Sequence, residues 1–295
     1  MLEARLTLKK TKEHRTIISI NENIYCGAQE LFIIAGPCAV ESFEQLKLVI
    51  EKLPLGIIQG LRGCVYKPRT SPYAFQGLAH EGLSILSQIK ELSGLPIVTE
   101  VMSCQQVEST AAYADVLQIG SRNMQNFELL KTIGQVNKPV LLKRGLSATI
   151  EEFIMAAEYI ISHGNPNVIL CERGIRSYDT YTRNVLDLGA VVALRQLTHL
   201  PVIVDPSHAA GKRELVPDLA RAAIACGADG LIVECHPEPE LSISDARQAL
   251  SLEDMLGLID SLAPIAHAVG KTLIKSKNKS DSRIARFSEA TKVSA

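Results

Sequence analysis

The sequence predicts an α/β protein folded as a single (β/α)8 TIM barrel, and three observations lead to this class. Eight short apolar runs, each rich in consecutive Ile, Val and Leu, alternate with amphipathic stretches along the chain. Consecutive apolar residues are typical of parallel strands that are buried on both faces. Polar and charged residues gather at the carboxyl end of each run, where a closed barrel brings its active-site loops together. An open, doubly wound sheet is the alternative, but no G-x-G-x-x-G follows the first run and an open sheet offers one crevice only.

The individual elements follow from these patterns. The apolar runs predict strands at 31–38, 60–67, 95–102, 114–121, 139–145, 167–174, 201–208 and 227–236. Apolar residues at three- and four-residue spacing predict helices at 44–53, 80–94, 126–136, 149–164, 187–197, 215–227 and 245–266. Gly94, Gly164 and Gly227 stand where the cap glycine of a helix is expected. Together these units predict a catalytic barrel over residues 31–270.

Two segments lie outside the predicted barrel. Residues 1–30 form an N-terminal extension, in which 16–27 predicts a β-hairpin around positions 21–23. We expect this hairpin to cover the N-terminal end, or bottom, of the barrel. Residues 271–295 are rich in Lys, Arg and Ser and predict a basic, flexible tail.

The composition limits the possible partners. The formal net charge is -1 over 295 residues, so no overall field attracts nucleic acid or an anionic membrane surface. The apolar runs have the length of strands, and the first fifteen residues lack the apolar core of a secretory signal. The seven cysteines form no C-x-x-C pair, which favours free thiols or metal ligands in a reducing, cytoplasmic setting.

Two chemically distinct sets of side chains stand at the ends of the predicted strands. One set is cationic and suits phosphate or carboxylate groups: Arg62, Lys67, Arg69, Arg122, Lys143, Arg173 and Arg176. The other combines a thiol, an imidazole and carboxylates, which suits a divalent Mn, Fe, Co or Zn ion: Cys38, His208 and Glu234, with Asp245, at the start of the predicted helix 245–266, as an open fourth candidate. Taken singly, Cys38 could be an ordinary core thiol, His208 a loop histidine and Asp245 a helix cap. Cys171 and Cys235 adjoin these candidates, but we expect them to face away because neighbours on a strand point to opposite sides.

The motifs that carry these residues resemble one known family. They are GPCAVES at 36–42, KPRTSPYAFQG at 67–77, QIGSRNMQN at 118–126, LLKRG at 141–145, CERG at 171–174, DPSHAAG at 205–211 and SDARQAL at 244–250. In this order, from about residue 16 to about residue 265, the chain is similar to type I-beta 3-deoxy-D-arabino-heptulosonate 7-phosphate (DAHP) synthases. The segment KPRTSP separates this group from 3-deoxy-D-manno-octulosonate 8-phosphate synthases.

The resemblance implies an activity and a role for each candidate. The enzyme would condense phosphoenolpyruvate with erythrose 4-phosphate and water, releasing phosphate in the first step of the shikimate pathway. Cys38, His208, Glu234 and Asp245 would bind the divalent metal ion. The substrates would be held by Arg62, Lys67, Pro68, Arg69, Thr70, Ser121, Arg122, Lys143 and Arg173, of which Lys67, Pro68, Arg69 and Thr70 would receive erythrose 4-phosphate. Lys67, Glu100, Lys143, Cys38 and His208 would take part in catalysis, with Glu100 positioning the water. Relatives are usually homotetramers, so the resemblance also implies a homo-oligomer.

Three other functions stay open from the sequence. An octulosonate synthase shares the barrel and the metal site, and a sialic-acid-type synthase differs at several of these motifs. A non-catalytic sensor of phosphate ligands on the same fold would not need the four metal ligand candidates. Some DAHP synthases carry an additional regulatory domain; about thirty residues precede the barrel here, so we expect little inhibition by phenylalanine or tyrosine.

Overall fold

A closed barrel of eight parallel strands forms the centre of the molecule. The computed structural model describes residues 3–69 and 71–273. The barrel strands are β3 Phe32–Gly36, β4 Gly60–Arg62, β5 Ile97–Val101, β6 Val116–Ile119, β7 Val140–Lys143, β8 Val168–Glu172, β9 Val202–Val204 and β10 Gly230–Glu234. Each strand pairs with the next one along the chain, and β10 pairs with β3 over five residues to close the ring. The predicted (β/α)8 architecture is therefore confirmed.

Helices surround the barrel and cover its outer face. They are α1 Phe43–Lys52, α2 Ala79–Ser93, α3 Cys104–Ala111, α4 Phe127–Ile133, α5 Ile150–Ser162, α6 Leu188–Leu197, α7 Pro206–Ala210, α8 Val216–Ala225 and α9 Leu252–Ala268. Their apolar faces and the outward-facing strand residues form one continuous core. None of the helices in the described part of the chain is both long and apolar enough to cross a membrane.

The interior of the barrel is a second, smaller core. Phe32, Ile34, Val98, Leu141 and Ile232 point inward and pack together. The predicted hairpin is present as β1 Ile18–Ser19 and β2 Tyr25–Cys26, which pair antiparallel. Its residues Ile18, Ile20, Ile24 and Cys26 belong to this same interior cluster. The hairpin therefore closes the bottom of the barrel, as the sequence predicts.

Three elements differ between the prediction and the structure. The strand predicted at 201–208 ends at Val204, and α7 begins at Pro206 because proline fits the first turn of a helix and Asp205 caps it. The helix predicted at 245–266 begins only at Leu252, since the preceding segment is an irregular loop. Helix α3 is not predicted, because only Val107 and Thr110 of its eight residues are buried and its apolar periodicity is weak.

One carboxylate makes several of the contacts between the N-terminal extension and the barrel. Glu158 on α5 accepts hydrogen bonds from the backbone N–H groups of Arg5, Leu6 and Thr7 and from the Thr7 hydroxyl, at 2.8–2.9 Å. Partial burial alone would raise the pKa of Glu158, but these hydrogen bonds outweigh it and lower the pKa. Because the lowered pKa belongs to the folded state, the ionised carboxylate stabilises the fold.

We expect Glu158→Gln to lower the free energy of unfolding by about 1–2 kcal/mol at neutral pH, since hydrogen bonds to a charged group are lost. The difference from wild type should persist above the ordinary glutamate pKa of about 4.3 and shrink as pH falls through the lower folded-state value. Urea denaturation at several pH values measures it. Exposed Glu91→Gln is the control, and an equal effect of that change at any pH would contradict the assignment.

Candidate active site

The barrel interior changes from apolar to charged toward the carboxyl ends of the strands. On β7, for example, Leu141 packs in the apolar interior core, and Lys143 is the next inward-facing residue. Other strands of the ring show the same change. In each, the polar residue lies two positions after an apolar one and shares its face, because alternate residues of a strand point to the same side. The inward-facing polar layer consists of Arg62, Glu100, Gln118, Lys143, Arg173, Asp205 and Glu234, all at most 5% exposed.

A cavity of about 390 Å³ opens above this layer. Most predicted site residues line it: Arg62, Lys67, Pro68, Arg69, Glu100, Ser121, Arg122, Lys143, Arg173, His208 and Asp245. Cys38 and Glu234 are buried and contact residues of its wall, while Thr70 lies outside the described residues. The wall also includes residues that the sequence prediction did not assign, namely Gln118, Gly120, Leu146, Arg183 and Asn184. A cavity with this many cations suits a ligand with more than one anionic group.

The four predicted metal ligands form one cluster beside the cavity. Ligand atoms of Cys38, His208, Glu234 and Asp245 all lie within 4.8 Å of one another. Cys38 follows β3, Glu234 ends β10, His208 lies on α7, and Asp245 lies in the loop after β10. The Cys38 thiol donates to Asp245 Oδ2 at 2.9 Å, and Lys67 Nζ donates to Cys38 Sγ at 2.8 Å.

The protonation of His208 provides a test of whether a cation fits this cluster. Burial lowers the pKa of His208 although Asp205 and Glu234 oppose the shift, so the ring is neutral at pH 7. Its Nδ1–H donates to Asp205 Oδ2 at 2.7 Å. Nε2 therefore carries a lone pair, and it faces Glu234 Oε1 at 3.2 Å. Two acceptors that face each other in a buried site repel unless a proton or another cation lies between them, and a divalent metal ion is one cation that fits.

Glu234 and Cys38 are consistent with this interpretation. Glu234 Oε1 is 3.0 Å from Arg62 Nη2, yet it accepts no hydrogen bond of good geometry from the described residues. Burial and the neighbouring Glu234 raise the pKa of the Cys38 thiol well above its ordinary value. A bound cation would compensate both costs, because it stabilises a thiolate and a carboxylate in the same place.

Asp205 is a fully buried residue beside the candidate metal ligands that the sequence prediction left unassigned. Its Oδ2 accepts from Lys143 Nζ at 2.5 Å and from His208 Nδ1, and its Oδ1 accepts from the His208 backbone N–H at 2.9 Å. Burial alone would raise the pKa of Asp205, but the interactions with His208 and Lys143 outweigh it and hold the pKa well below its ordinary value. The D-x-x-H spacing in DPSH was the available signal, since a capping Asp reaches the third residue of a helix.

Two further features position the cavity wall. A Cβ on Gly120 would lie 2.2 Å from Glu100 Oε1, so glycine there makes room for the Glu100 carboxylate, which also accepts from Gln118 Nε2 at 3.0 Å. Outside the barrel, Arg144 Nη1 pairs with Glu172 at 2.8 Å and with Asp187 at 3.0 Å. Glu172 and Asp187 stand at the two ends of the β8–α6 loop, and Arg144 directly follows β7. The pairing therefore holds this loop, which contains Arg173, at the end of β7.

The expected orientation of Cys171 is wrong. Cys171 belongs to the apolar interior of the barrel, whereas Glu172 points outward to Arg144. The phase of β8 places Ile169, Cys171 and Arg173 on the inward face. Cys235 does face away from the site, into the outer core, and burial raises its pKa to about 12.

Comparisons with known proteins identify relatives of this chain. The family model of the DAHP synthetase I family matches residues 15–264. A phospho-2-dehydro-3-deoxyheptonate aldolase of Thermotoga maritima is 47% identical over 266 residues, which cover 90% of this chain and 78% of that protein. A 2-dehydro-3-deoxyphosphooctonate aldolase of Xylella fastidiosa is 33% identical, over 80% of this chain and 91% of its own length.

Solved structures give the same result. The crystal structure of the Thermotoga maritima DAHP synthase superposes with a TM-score of 0.87 at 44% identity, covering 92% of this chain and 79% of that one. A truncated form of the Thermotoga maritima synthase superposes with a TM-score of 0.83 at 43% identity, covering 90% of this chain and 98% of that one. Matched over most of its length in sequence and in structure, the chain belongs to the DAHP synthetase I family.

Proposed function

We propose that this protein is a metal-dependent DAHP synthase that condenses phosphoenolpyruvate with erythrose 4-phosphate and releases phosphate. The observation that carries the proposal is the position of the Cys–His–Glu–Asp cluster at the wall of a cation-lined cavity. A cluster without the cations would suit many metalloenzymes, and the cations alone would suit a phosphate sensor. A homo-oligomeric state and a cytoplasmic location stay predictions.

The identity of the sugar phosphate is supported by the comparisons. The matched DAHP synthase is 47% identical, against 33% for the matched octulosonate enzyme. The segment KPRTSP at 67–72, which separates the two groups, lies at the cavity through Lys67, Pro68 and Arg69. Erythrose 4-phosphate is therefore the proposed acceptor, and arabinose 5-phosphate, the acceptor of the octulosonate synthases, is the alternative.

The buried cations suit phosphoenolpyruvate, which carries a phosphate and a carboxylate. Lys143 and Arg173 are nearly fully buried at the floor of the cavity, and Arg122 and Ser121 lie above them on the β6–α4 loop. Arg62 donates through Nε to Pro37 O at 3.2 Å, while its buried Nη1 has no hydrogen-bond partner in the described part of the chain. In the proposal, Arg62 and Lys67 hold the carboxylate, and Arg122, Lys143 and Arg173 hold the phosphate.

The chain then supplies positioning and proton control for the reaction. A divalent ion held by Cys38, His208, Glu234 and Asp245 would act as a Lewis acid on the aldehyde oxygen. Lys143 and Arg173 orient the enol phosphate so that its C3 attacks the aldehyde carbon, and Glu100 positions the water that adds at C2. Loss of inorganic phosphate from C2 completes the step. Holding two anions that repel each other in solution is worth about 7–11 kcal/mol in favourable cases.

The test measures inorganic phosphate released from phosphoenolpyruvate, with erythrose 4-phosphate or arabinose 5-phosphate and with Mn²⁺ or EDTA. We expect release with erythrose 4-phosphate and Mn²⁺, and none with EDTA, because the aldehyde is then no longer activated. Release with arabinose 5-phosphate alone would assign the octulosonate activity instead. Absence of release with either sugar would favour a phosphate-ligand sensor.

A further inference from the structure

Each carboxylate of the four-residue cluster is held at one oxygen by a residue outside the cluster. Arg183 Nη1 donates to Asp245 Oδ1 at 3.1 Å, and Gln248 Nε2 donates to Glu234 Oε2 at 2.5 Å. The second oxygen of each carboxylate faces the other ligands, and Glu234 Oε1 also lies 3.0 Å from Arg62 Nη2. Asp245 Oδ2 lies 2.9 Å from Cys38 Sγ, and Glu234 Oε1 lies 3.2 Å from His208 Nε2.

Arg183 and Gln248 also contact each other, and this contact fixes the orientation of the amide. Arg183 Nη1 donates to Gln248 Oε1 at 3.1 Å. Because a guanidinium can only donate, the Gln248 oxygen must face Arg183, and the amide nitrogen is directed at Glu234. Gln248 is 2% exposed, so its contact with Glu234 is shielded from water, whereas the Arg183 side chain is 40% exposed.

Contacts on the side away from Asp245 hold Arg183 in place. It belongs to the β8–α6 loop, whose residues Arg173 and Arg176 line the cavity. Its stem packs on Gly211, where φ is +67° and an added Cβ would lie 2.5 Å from Arg183 Cβ. The Arg183 backbone N–H donates to Ala210 O at 3.0 Å. The guanidinium therefore meets Asp245 from a loop that is anchored independently of it.

We propose that Arg183 and Gln248 are positioning residues, which act as a unit to orient Asp245 and Glu234 for the metal ion. The inference rests on the proposed metal site and adds to it two residues that touch neither metal nor reacting atoms. By holding the outer oxygens, they leave one oxygen of each carboxylate directed at Cys38 and His208. The β8–α6 loop, which presents Arg173 and Arg176 to the cavity, is thereby joined to the metal ligands.

The test is a Co²⁺ titration of the metal-free protein, followed by the thiolate-to-cobalt absorption band. Gln248→Met keeps the side-chain length, Arg183→Met keeps the apolar stem, and both remove the hydrogen bonds. We expect each to weaken Co²⁺ binding about 10- to 100-fold, as for other residues that orient metal ligands, while the metal-free protein stays folded. Gln248→Met should also lower the stability of the metal-free protein, because Glu234 Oε2 loses its buried donor. The double variant should bind no more weakly than the weaker single variant, because the two residues act together.

Two controls make the result specific. Arg247→Met removes the same charge from an exposed neighbour of Gln248 and should keep wild-type Co²⁺ affinity. Cys38→Ala should abolish the band, which assigns it to this thiol among the seven cysteines. Wild-type affinity in both positioning variants, or an equal loss in Arg247→Met, would overturn the inference while the proposed metal site stands. A wild-type protein without the band would refute the metal site and the inference together.

Discussion

Replacing Cys38 with alanine is expected to reduce metal-dependent kcat/KM by at least about 1,000-fold, since Lewis-acid activation contributes several kcal/mol. The thiol is 2% exposed and lies among Lys67, Asp245 and Ser244, so no other side chain can take its place. Its removal takes one of the four candidate ligands from the divalent ion and leaves Lys67 Nζ without its thiol acceptor. Steady-state phosphate release across a Mn²⁺ titration measures the effect.

A matched control separates catalysis from packing. Cys235 is equally buried and directly follows Glu234, but it faces the outer core. Cys235→Ala should cost a small amount of stability and keep most of the activity. Both variants should keep the far-ultraviolet circular dichroism of the folded barrel. A Cys38→Ala protein with full activity in metal-stripped buffer would contradict the proposed site.

Replacing Lys143 with methionine is expected to reduce both activity and stability. Loss of one charged donor at the floor of the cavity should lower kcat/KM for phosphoenolpyruvate about 100- to 1,000-fold. Because Lys143 is the ammonium partner of Asp205, which is fully buried, the change also leaves a carboxylate without its counter-charge. Breaking such a buried pair from one side costs about 3–5 kcal/mol of folding free energy. Phosphate release and urea denaturation measure the two effects.

A second substitution distinguishes the two effects of this lysine. Adding Asp205→Asn to Lys143→Met removes the uncompensated carboxylate, so most of the lost stability should return. Activity should stay low, because the donor to the substrate is still missing. Recovery of activity together with stability would mean that Lys143 serves only to balance Asp205. Lys131→Met, at a surface ion pair with Glu128 on α4, is the control for loss of a lysine far from the site.

The strand-end residues could be predicted from the sequence because the pattern has a physical period. On β7, for example, Lys143 lies two positions beyond the apolar, inward-facing Leu141 and therefore shares its face. The orientation of Cys171 could not be read in this way, because Arg173 and Glu172 were both candidates and only one phase of β8 is realised. The local sequence pattern predicts that residues alternate between the two faces of a strand. Tertiary packing determines which of the two sets faces the barrel interior.

Other parts of the site have no local signal. Asp245 adopts a left-handed conformation with φ +58° in an irregular loop, so the predicted helix there was wrong and its proposed role rested on resemblance. Arg183 meets Asp245 and Gln248 across separations of 62 and 65 residues. Contacts of this kind depend on how two loops meet above a closed barrel. The periodicity of the sequence does not predict such contacts between loops.

The hairpin at the bottom of the barrel determines the route by which ligands enter and leave the cavity. With the N-terminal end closed by Ile18, Ile20 and Ile24, the carboxyl mouth is the route along which ligands enter and leave the cavity. The buried cations lie at the end of this route, while Arg122 and Arg176 are exposed near its entrance. A molecule seated at the entrance blocks the floor behind it. On the proposed function, binding is therefore ordered. The substrate at the floor of the cavity must bind before the substrate at the entrance, and the group at the floor leaves last.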